Sequence, residues 1–113
     1  MKVLFVENHP EFARTVAAAF LGGHELTVVP TISAARKEIN RGDYDVALVD
    51  YDLDDGKGAD LVSWIRSSGT AIRVLAISAK DEGNAELLKA GADAVCRKTD
   101  FRQISSLLAE KKP

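Results

Sequence analysis

The sequence predicts an α/β fold in which one parallel sheet is covered by helices on both faces. Short apolar segments of strand length alternate along the chain with segments whose apolar residues recur at helical spacing. The strand segments are almost continuously apolar, as expected of strands that are buried on both faces. A glycine follows each of the first four helical segments, where glycine commonly ends a helix. Alternation of this kind is typical of parallel sheets with helical crossovers.

Five short apolar segments are predicted to form the strands. Each is bounded by polar or turn-forming residues, and the second is more polar than the others. In chain order, the predicted strands are Val3–Val6, Leu26–Val29, Tyr44–Val49, Ile72–Ile77 and Ala94–Cys96. The crossovers between them are expected to be right-handed, because this hand dominates parallel connections.

Five segments are predicted to form the helices. Pro10 suits the first turn of the first helix, Thr31 is expected to cap the second, and the fourth is expected to run from Asp81 or Glu82 to Ala90. The apolar positions of the helices, in chain order, are Phe12, Val16 and Phe20; Ile32, Ala35 and Ile39; Leu61, Val62 and Ile65; Ala85 and Leu88; and Phe101, Ile104, Leu107 and Leu108. The last three residues, Lys111–Pro113, are expected to be a frayed tail.

Five strands connected in this way predict the order 2-1-3-4-5 of a flavodoxin-like, doubly wound sheet. Residues 1–113 are expected to form one domain, because the chain is long enough to bury a core without disulfides or metals. In open parallel sheets, ligands bind beyond the carboxyl ends of the strands, at the point where the strand order reverses. The first and third strands therefore define the place where a functional site is expected.

Composition excludes several classes of protein. The chain carries 15 basic and 17 acidic residues, a net charge of -2, which argues against a general nucleic-acid binder. Its one cysteine, Cys96, excludes an intrachain disulfide and fits the reducing cytoplasm, where the protein is expected to reside. No apolar run approaches the roughly 20 residues of a membrane helix, and no targeting segment is apparent, so no membrane partner is expected.

Polar residues stand at the predicted carboxyl ends of four strands. Glu7 and Asn8 follow the first strand, Asp50 the third, Ser78 the fourth, and Lys98 lies close after the fifth. Because these ends meet at one edge of the sheet, the side chains are expected to converge there. Asp50 is interpreted as a reactive or metal-binding carboxylate. Each of these residues also has a structural interpretation, as a cap or a turn residue.

The other polar residues near this edge are given structural interpretations. The side chains of Asp54 and Asp55 are expected to be solvated in a turn, and His9 and His24 to be surface residues. The glycines around Lys57 match neither phosphate-binding loop pattern and are expected to shape the loop. Cys96 is expected to be a small buried apolar residue.

Four segments of the sequence carry a resemblance to a known family: VLFVENHP, ALVDYDLDDGKG, VLAISA and AGADAVCRK. They resemble the receiver domain of two-component response regulators over essentially the whole chain. The matching spacing of Asp50, Gly58, Ser78 and Lys98 carries more weight than any one segment.

The resemblance implies a function and a site. Asp50 would accept a phosphoryl group from a histidine kinase or a phosphotransfer protein, Ser78 would hydrogen-bond that group, and Lys98 would pair with it. Mg²⁺ would be bound by Glu7, Asn8, Asp50 and the backbone carbonyl of Asp52. The protein would be a signalling domain, with enzymatic activity limited to self-catalysed phosphoryl transfer. An output partner would bind the face formed by the fourth helix, the fifth strand and the fifth helix, including parts of Glu82–Lys89 together with Val95, Arg97, Arg102 and Gln103.

Four residues depart from the family pattern. Asn8 replaces an acid, Asp54 and Thr99 each replace a proline, and Val95 replaces an aromatic residue. Weaker Mg²⁺ binding is expected, because an amide oxygen carries no charge, and a cis peptide before Thr99 is not expected. Asn8, Thr99 and Val95 favour an alternative function, a pseudo-receiver that binds partners without phosphorylation. A small flavodoxin-like ligand-binding protein or enzyme is a more distant alternative. The chain is expected to be either a stand-alone receiver or one domain of a larger regulator.

Overall fold

Five parallel strands form the central sheet of the computed structural model, which describes residues 1–110. The expected tail, Lys111–Pro113, lies outside the described residues. The strands, in chain order, are β1 (Lys2–Val6), β2 (Glu25–Val29), β3 (Val46–Val49), β4 (Arg73–Ala76) and β5 (Ala94–Val95). Their spatial order is β2-β1-β3-β4-β5, which confirms the predicted flavodoxin-like topology.

Helices connect consecutive strands and cover both faces of the sheet. They are α1 (Pro10–Phe20), α2 (Ile32–Arg41), α3 (Gly58–Ser67), α4 (Asp81–Ala90) and α5 (Ile104–Ala109). The Thr31 hydroxyl accepts a hydrogen bond from the Ala34 amide at 3.1 Å, which confirms the predicted cap of α2. No helix within residues 1–110 combines the length and the apolar character needed to cross a lipid bilayer.

Two short elements were not predicted. Asp52–Leu53 and Gly56–Lys57 pair as a small antiparallel hairpin between β3 and α3. Lys98–Gln103 forms a 3-10 helix before α5, with non-helical backbone angles at Asp100. The apolar spacing predicts Phe101 in the last helix, but the residue lies in this 3-10 helix, before α5 begins.

The core consists of two apolar layers, one on each face of the sheet. Because successive side chains of a strand point to opposite faces, Leu4 and Val6 contribute to one layer while Val3 and Phe5 contribute to the other. The first layer is completed by residues of α2, α3 and α4, and the second by residues of α1 and α5. Cys96 is buried in the second layer, as predicted.

The predicted apolar face of α4 is wrong. Ala85 and Leu88 are exposed, and the buried positions are Gly83, Asn84 and Leu87. A Cβ atom at position 83 would lie 2.8 Å from the Ser78 Oγ atom, so the helix approaches the end of β4 through its glycine. Neither a glycine nor an asparagine contributes to an apolar pattern, and the pattern therefore selected the opposite side of the helix.

Candidate functional site

Four of the five residues predicted at the carboxyl edge of the sheet line one pocket of about 270 Å³, and the fifth, Glu7, is buried beside it in contact with Lys98. The backbone amides of Glu7 and Asp50 extend the sheet by bonding to Val29 and Val6, at 2.9 Å and 3.0 Å, so both acids are held by the strands that precede them. The pocket is lined by Asn8, His9, Asp50, Asp52, Ser78, Ala79, Lys80 and Lys98. The expected convergence of polar side chains is therefore present.

Glu7, Asp50 and Lys98 form a buried charge cluster. Glu7 is 2% exposed and Asp50 is 4% exposed. The Lys98 ammonium lies 2.8 Å from Glu7 Oε1 and 3.3 Å from Asp50 Oδ2, so one cation bridges two carboxylates. The same ammonium lies 4.8 Å from the centre of the Phe12 ring, whose π electrons also attract it. Burial of two carboxylates is tolerated because this lysine accompanies them.

The Asp50 carboxyl has an elevated pKa. Burial is the largest cause and the adjacent Glu7 carboxylate is the second; together they raise the pKa from 3.8 to about 6, against the opposing effects of Lys98 and the Tyr51 amide. At neutral pH the carboxylate form of Asp50 therefore still predominates. The buried carboxylate has little water around it, which favours its reaction with an electrophile that enters the pocket.

Ser78 lies at the end of β4 and is 5% exposed. Its hydroxyl accepts a hydrogen bond from the Lys80 amide at 3.2 Å, and its carbonyl accepts one from the Lys98 amide at 3.3 Å. The carbonyl also accepts a bond from Nδ2 of the buried Asn84, at 3.1 Å. Asn84 was not identified from the sequence, although a polar residue inside a helix that packs on a strand end is a signal for such a contact.

Asn8 contacts the loop that follows Asp50. Its Nδ2 atom donates to Asp54 Oδ1 at 3.1 Å, and its Oδ1 atom is buried without a hydrogen-bond partner among residues 1–110. Asp54 and Asp55 are exposed, as expected, but both also make specific contacts. Asp55 accepts bonds from the Ile32 and Ser33 amides at 2.7 Å and 3.0 Å, so it caps the amino end of α2 together with Thr31.

His9 reaches the site, which the sequence did not predict. Its side chain is 61% exposed, as expected of a surface residue, but its Nδ1 atom lies 2.7 Å from Glu7 Oε2 and 3.9 Å from Asp50 Oδ2. The available signal was its position two residues after Glu7, at the turn that leads into α1. His24 contacts the terminal amino group of Met1 at 3.3 Å.

The loop between Asp50 and α3 is shaped by Gly58. A Cβ atom at this position would lie 1.9 Å from the Asp50 carbonyl oxygen, so only glycine fits beneath it. The Asp52 side chain pairs with Lys57 at the exposed rim, which lowers the pKa of Asp52. The Lys98–Thr99 peptide is trans.

The donor atoms fit a hard divalent cation. The candidate ligands are the two buried carboxylates of Glu7 and Asp50 and the unpartnered Asn8 Oδ1 atom. Asp52 lines the same pocket as Asp50 and Asn8. Mg²⁺ prefers oxygen ligands of this kind and keeps several of its water molecules. The Asn8 oxygen is neutral, and a third carboxylate in its place would attract the cation more strongly.

Comparisons with known proteins agree on one family. The profile described as the response regulator receiver domain matches residues 3–109. The swarming motility regulation protein RssB of Serratia marcescens is 31% identical over 83 residues, which cover 72% of this chain and 37% of that protein. The chain thus spans well under half the length of this curated relative.

Solved structures share the fold over nearly the whole chain. The receiver domain of the Francisella response regulator 1452 superposes with a TM-score of 0.84 at 25% identity, over 95% of this chain and 92% of that one. The response regulator TrrA of Thermotoga maritima, solved in complex with Mg²⁺ and BeF, superposes with a TM-score of 0.85 at 18% identity, over 95% of each chain.

Proposed function

Because this chain belongs to the response regulator receiver domain family, we propose that it accepts a phosphoryl group on Asp50. Receiver domains are signalling domains of two-component systems. The observation that carries the proposal is the placement of Asp50, a 4% exposed carboxylate that lies 3.3 Å from the Lys98 ammonium in a pocket also lined by Ser78.

The proposed reaction is a phosphoryl transfer from a phosphohistidine. An Asp50 carboxylate oxygen attacks the phosphorus atom, an O–P bond forms, and the N–P bond of the donor breaks. The electron pair of the broken bond remains on the donor imidazole, which takes up a proton. The product is an aspartyl phosphate, whose added negative charge lies beside Lys98.

Lys98 and Ser78 have separate proposed roles in this reaction. The Lys98 ammonium is already within reach of Asp50 and pairs with the phosphoryl oxygens after transfer. The Ser78 hydroxyl donates a hydrogen bond to the phosphoryl group, in exchange for its present contact with the Lys80 amide. The Ser78 backbone carbonyl accepts the bond from Asn84, so a shift of the Ser78 backbone that accompanies this exchange would be transmitted to α4.

A divalent cation completes the proposed site. Glu7, Asn8 Oδ1, Asp50 and the Asp52 carbonyl would hold it, with Mg²⁺ as the ion that the family implies. Its chemical contribution is to neutralise the charge of the incoming phosphoryl group. Asn8 contributes no charge, and Mg²⁺ is therefore proposed to bind more weakly here than at a site with an acid in that position.

The proposed partners are a histidine kinase or a phosphotransfer protein and an output protein or domain. The proposed output surface is the face of α4, β5 and α5. On this face Leu88 is 45% exposed, Arg97 pairs with Asp81 at 3.0 Å, and Arg102 and Gln103 are exposed. An exposed leucine bordered by charged residues is suited to binding a protein.

The alternative function is a pseudo-receiver that binds partners without phosphorylation. Asn8 favours it, because its amide oxygen brings no charge to the cation site. Val95, in place of an aromatic residue, also favours it.

Intact mass spectrometry distinguishes the two functions. The protein is incubated with acetyl phosphate, with and without Mg²⁺, beside the Asp50→Asn variant. A Mg²⁺-dependent gain of one phosphoryl group in the wild type alone supports the receiver function. No gain at any Mg²⁺ concentration would support the pseudo-receiver.

A further inference from the structure

Three metal-binding side chains of different chemistry meet beside the proposed phosphorylation site. Glu7, His9 and Asp50 each offer a ligand atom, and these atoms all lie within 4.8 Å of one another. The shortest separation, 2.7 Å between His9 Nδ1 and Glu7 Oε2, is a hydrogen bond, and a cation bound by both atoms would take the place of the shared hydrogen. The imidazole is the unexpected member, because the proposed Mg²⁺ site consists of oxygen atoms alone.

We propose that His9 supplies a nitrogen ligand, through Nδ1, to the divalent cation beside Asp50, so that this site binds Mn²⁺ or Zn²⁺ more tightly than Mg²⁺. The inference rests on the proposed function, because it names the cation of the same site. It goes further in assigning a nitrogen ligand, which an all-oxygen site does not have.

The charge of the cluster favours this class of metal. The carboxylates of Glu7 and Asp50 and the ammonium of Lys98 together leave one negative charge around the pocket. Mg²⁺ depends on charged oxygen ligands, and one of them is replaced by the neutral Asn8. Imidazole suits transition metals such as Zn²⁺, whose bonds to nitrogen depend less on ligand charge. A site with asparagine in place of an acid and with a histidine ligand is therefore expected to prefer a transition metal over Mg²⁺.

The backbone holds His9 in position for this role. His9 precedes α1 in an extended conformation, with φ −106° and ψ 95°, and Pro10 begins the helix directly after it. The His9 amide donates to Glu7 Oε2 at 3.1 Å, which ties the Glu7 carboxylate to the residue that carries the imidazole. In the 2.7 Å contact with Glu7, Nδ1 carries the hydrogen, because a carboxylate can only accept. Metal binding requires the tautomer with its hydrogen on Nε2, which leaves Nδ1 as the ligand atom.

A fourth donor supports the site independently. Asn8 Oδ1 is buried and has no hydrogen-bond partner among residues 1–110, although Asn8 lines the same pocket. Buried polar oxygens normally have a partner, and a bound cation would provide one. Two carboxylates, an imidazole and an amide oxygen form a mixed nitrogen and oxygen set, which suits Mn²⁺ and Zn²⁺.

Lys98 competes with the cation for this position. Its ammonium lies 3.4 Å from His9 Nδ1 and within ion-pair distance of both acids. A bound metal must therefore displace it, and the contact with the Phe12 ring gives it an alternative partner. The Lys98→Met variant is accordingly expected to bind all three ions more tightly, by about tenfold, because a repelling charge is removed.

Calorimetric titration of the tag-free full chain with MgCl₂, MnCl₂ or ZnCl₂, without a phosphoryl donor, tests the proposal. The wild type is expected to bind Zn²⁺ most tightly, then Mn²⁺, then Mg²⁺. His9→Ala is expected to lose about 10- to 100-fold in affinity for Zn²⁺ and Mn²⁺ and to keep its Mg²⁺ affinity within about twofold. His24→Ala, which removes the other histidine, is expected to match the wild type.

A direct spectroscopic reading accompanies the titration. With ¹⁵N-labelled histidine, Zn²⁺ is expected to shift the Nδ1 resonance of His9 and not those of His24. Tightest wild-type binding of Mg²⁺, unchanged Zn²⁺ affinity in His9→Ala, or an unshifted Nδ1 resonance would overturn the proposal. The exposed His9 side chain is replaced without loss of core packing, and circular dichroism confirms that the variant is folded.

The outcome separates this inference from the proposed function. Phosphorylation of Asp50 by acetyl phosphate is measured in parallel. Phosphorylation together with His9-independent metal binding overturns the nitrogen ligand and leaves the receiver function standing. Selective, His9-dependent Zn²⁺ binding without phosphorylation supports the nitrogen ligand and overturns the receiver function.

Discussion

The Lys98 ammonium lies 3.3 Å from Asp50 Oδ2. This contact joins the residue after β3 to the chain segment after β5, across the carboxyl edge of the sheet. Because Lys98 also binds Glu7, it sets the charge that an incoming phosphoryl group or cation meets.

Replacing Lys98 with methionine is expected to raise the pKa of Asp50 above its present value of about 6. Lys98 lowers this pKa through its charge and its hydrogen bond, while burial and Glu7 raise it. The pKa is measured by ¹³C NMR titration of the Asp50 carboxyl in the absence of divalent ions. Lys37→Met, which removes a lysine of α2, is the control and is expected to leave the pKa unchanged. A lower or unchanged pKa in Lys98→Met would show that the ion pair does not form.

Replacing Asp50 with asparagine is expected to stabilise the protein at neutral pH and not at acid pH. The pKa of Asp50 is about 6 in the folded protein and 3.8 as its ordinary value, so the folded state binds more protons between these values. The contribution of Asp50 to wild-type stability therefore falls as the pH rises from about 4 to 6, and this cost persists above that range. Asparagine does not titrate, so the variant avoids this cost.

Urea unfolding with EDTA at several pH values measures this difference. The variant is expected to be about 1–3 kcal/mol more stable at pH 7.5, and the difference is expected to vanish below about pH 4. A difference that does not change with pH, or a variant that is less stable at pH 7.5, would contradict the assigned burial of the charged carboxylate.

Exchanging the residues of the Asn8–Asp54 pair is expected to strengthen Mg²⁺ binding. The double variant Asn8→Asp, Asp54→Asn keeps a hydrogen bond between the two positions and moves the negative charge toward Asp50. An added charge near the cation is expected to raise the affinity about tenfold, as measured by calorimetry. Asp54→Asn alone is the control and is expected not to strengthen binding. Equal affinities in the double variant and the wild type would show that Asn8 does not face the cation.

Replacing Gly58 with alanine is expected to destabilise the fold and displace Asp50. The added Cβ atom would lie 1.9 Å from the Asp50 carbonyl oxygen, so the backbone must move. We expect a loss of about 2 kcal/mol or more in urea unfolding. Gly22→Ala is the matched control, because nothing lies within 4 Å of its added Cβ atom. A Gly58→Ala variant as stable as this control would contradict the described path of the loop.

Replacing Asn84 with valine is expected to uncouple α4 from the phosphorylation site. The Asn84 amide bonds to the Ser78 carbonyl, and its Oδ1 atom has no partner among the described residues. Amide NMR shifts in α4 are recorded on adding a beryllofluoride mimic of the phosphoryl group. The shifts are expected to be smaller in the variant than in the wild type, while those next to Asp50 are retained. Undiminished α4 shifts would remove Asn84 from the proposed coupling.

The sheet order and the positions of the polar strand ends could be predicted from the sequence. The apolar runs before Glu7 and Asp50 are nearly continuous, so residue type alone shows that each strand ends directly before its acid. Parallel connectivity then requires these residues to meet at one edge.

Contacts made by turns could not be predicted in the same way. His9 reaches Glu7 because of the backbone angles between β1 and α1, and Asp55 reaches α2 through the small hairpin after Asp50. The Asp55 contact joins residues 23 positions apart and is not encoded in local spacing, and the spacing of Glu7 and His9 places them near each other without fixing the angles of the turn. The buried face of α4 was missed for a related reason, because Gly83 packs through its lack of a side chain.

Locating the phosphoryl group on the chain tests the central claim most directly. After reaction with acetyl phosphate, borohydride reduces an aspartyl phosphate to homoserine, and tandem mass spectrometry of the peptides identifies the converted residue. Homoserine at position 50, and nowhere else, is the predicted result. Conversion at Asp52 or Asp54, or no conversion under conditions that label a known receiver domain, would contradict the assignment of Asp50.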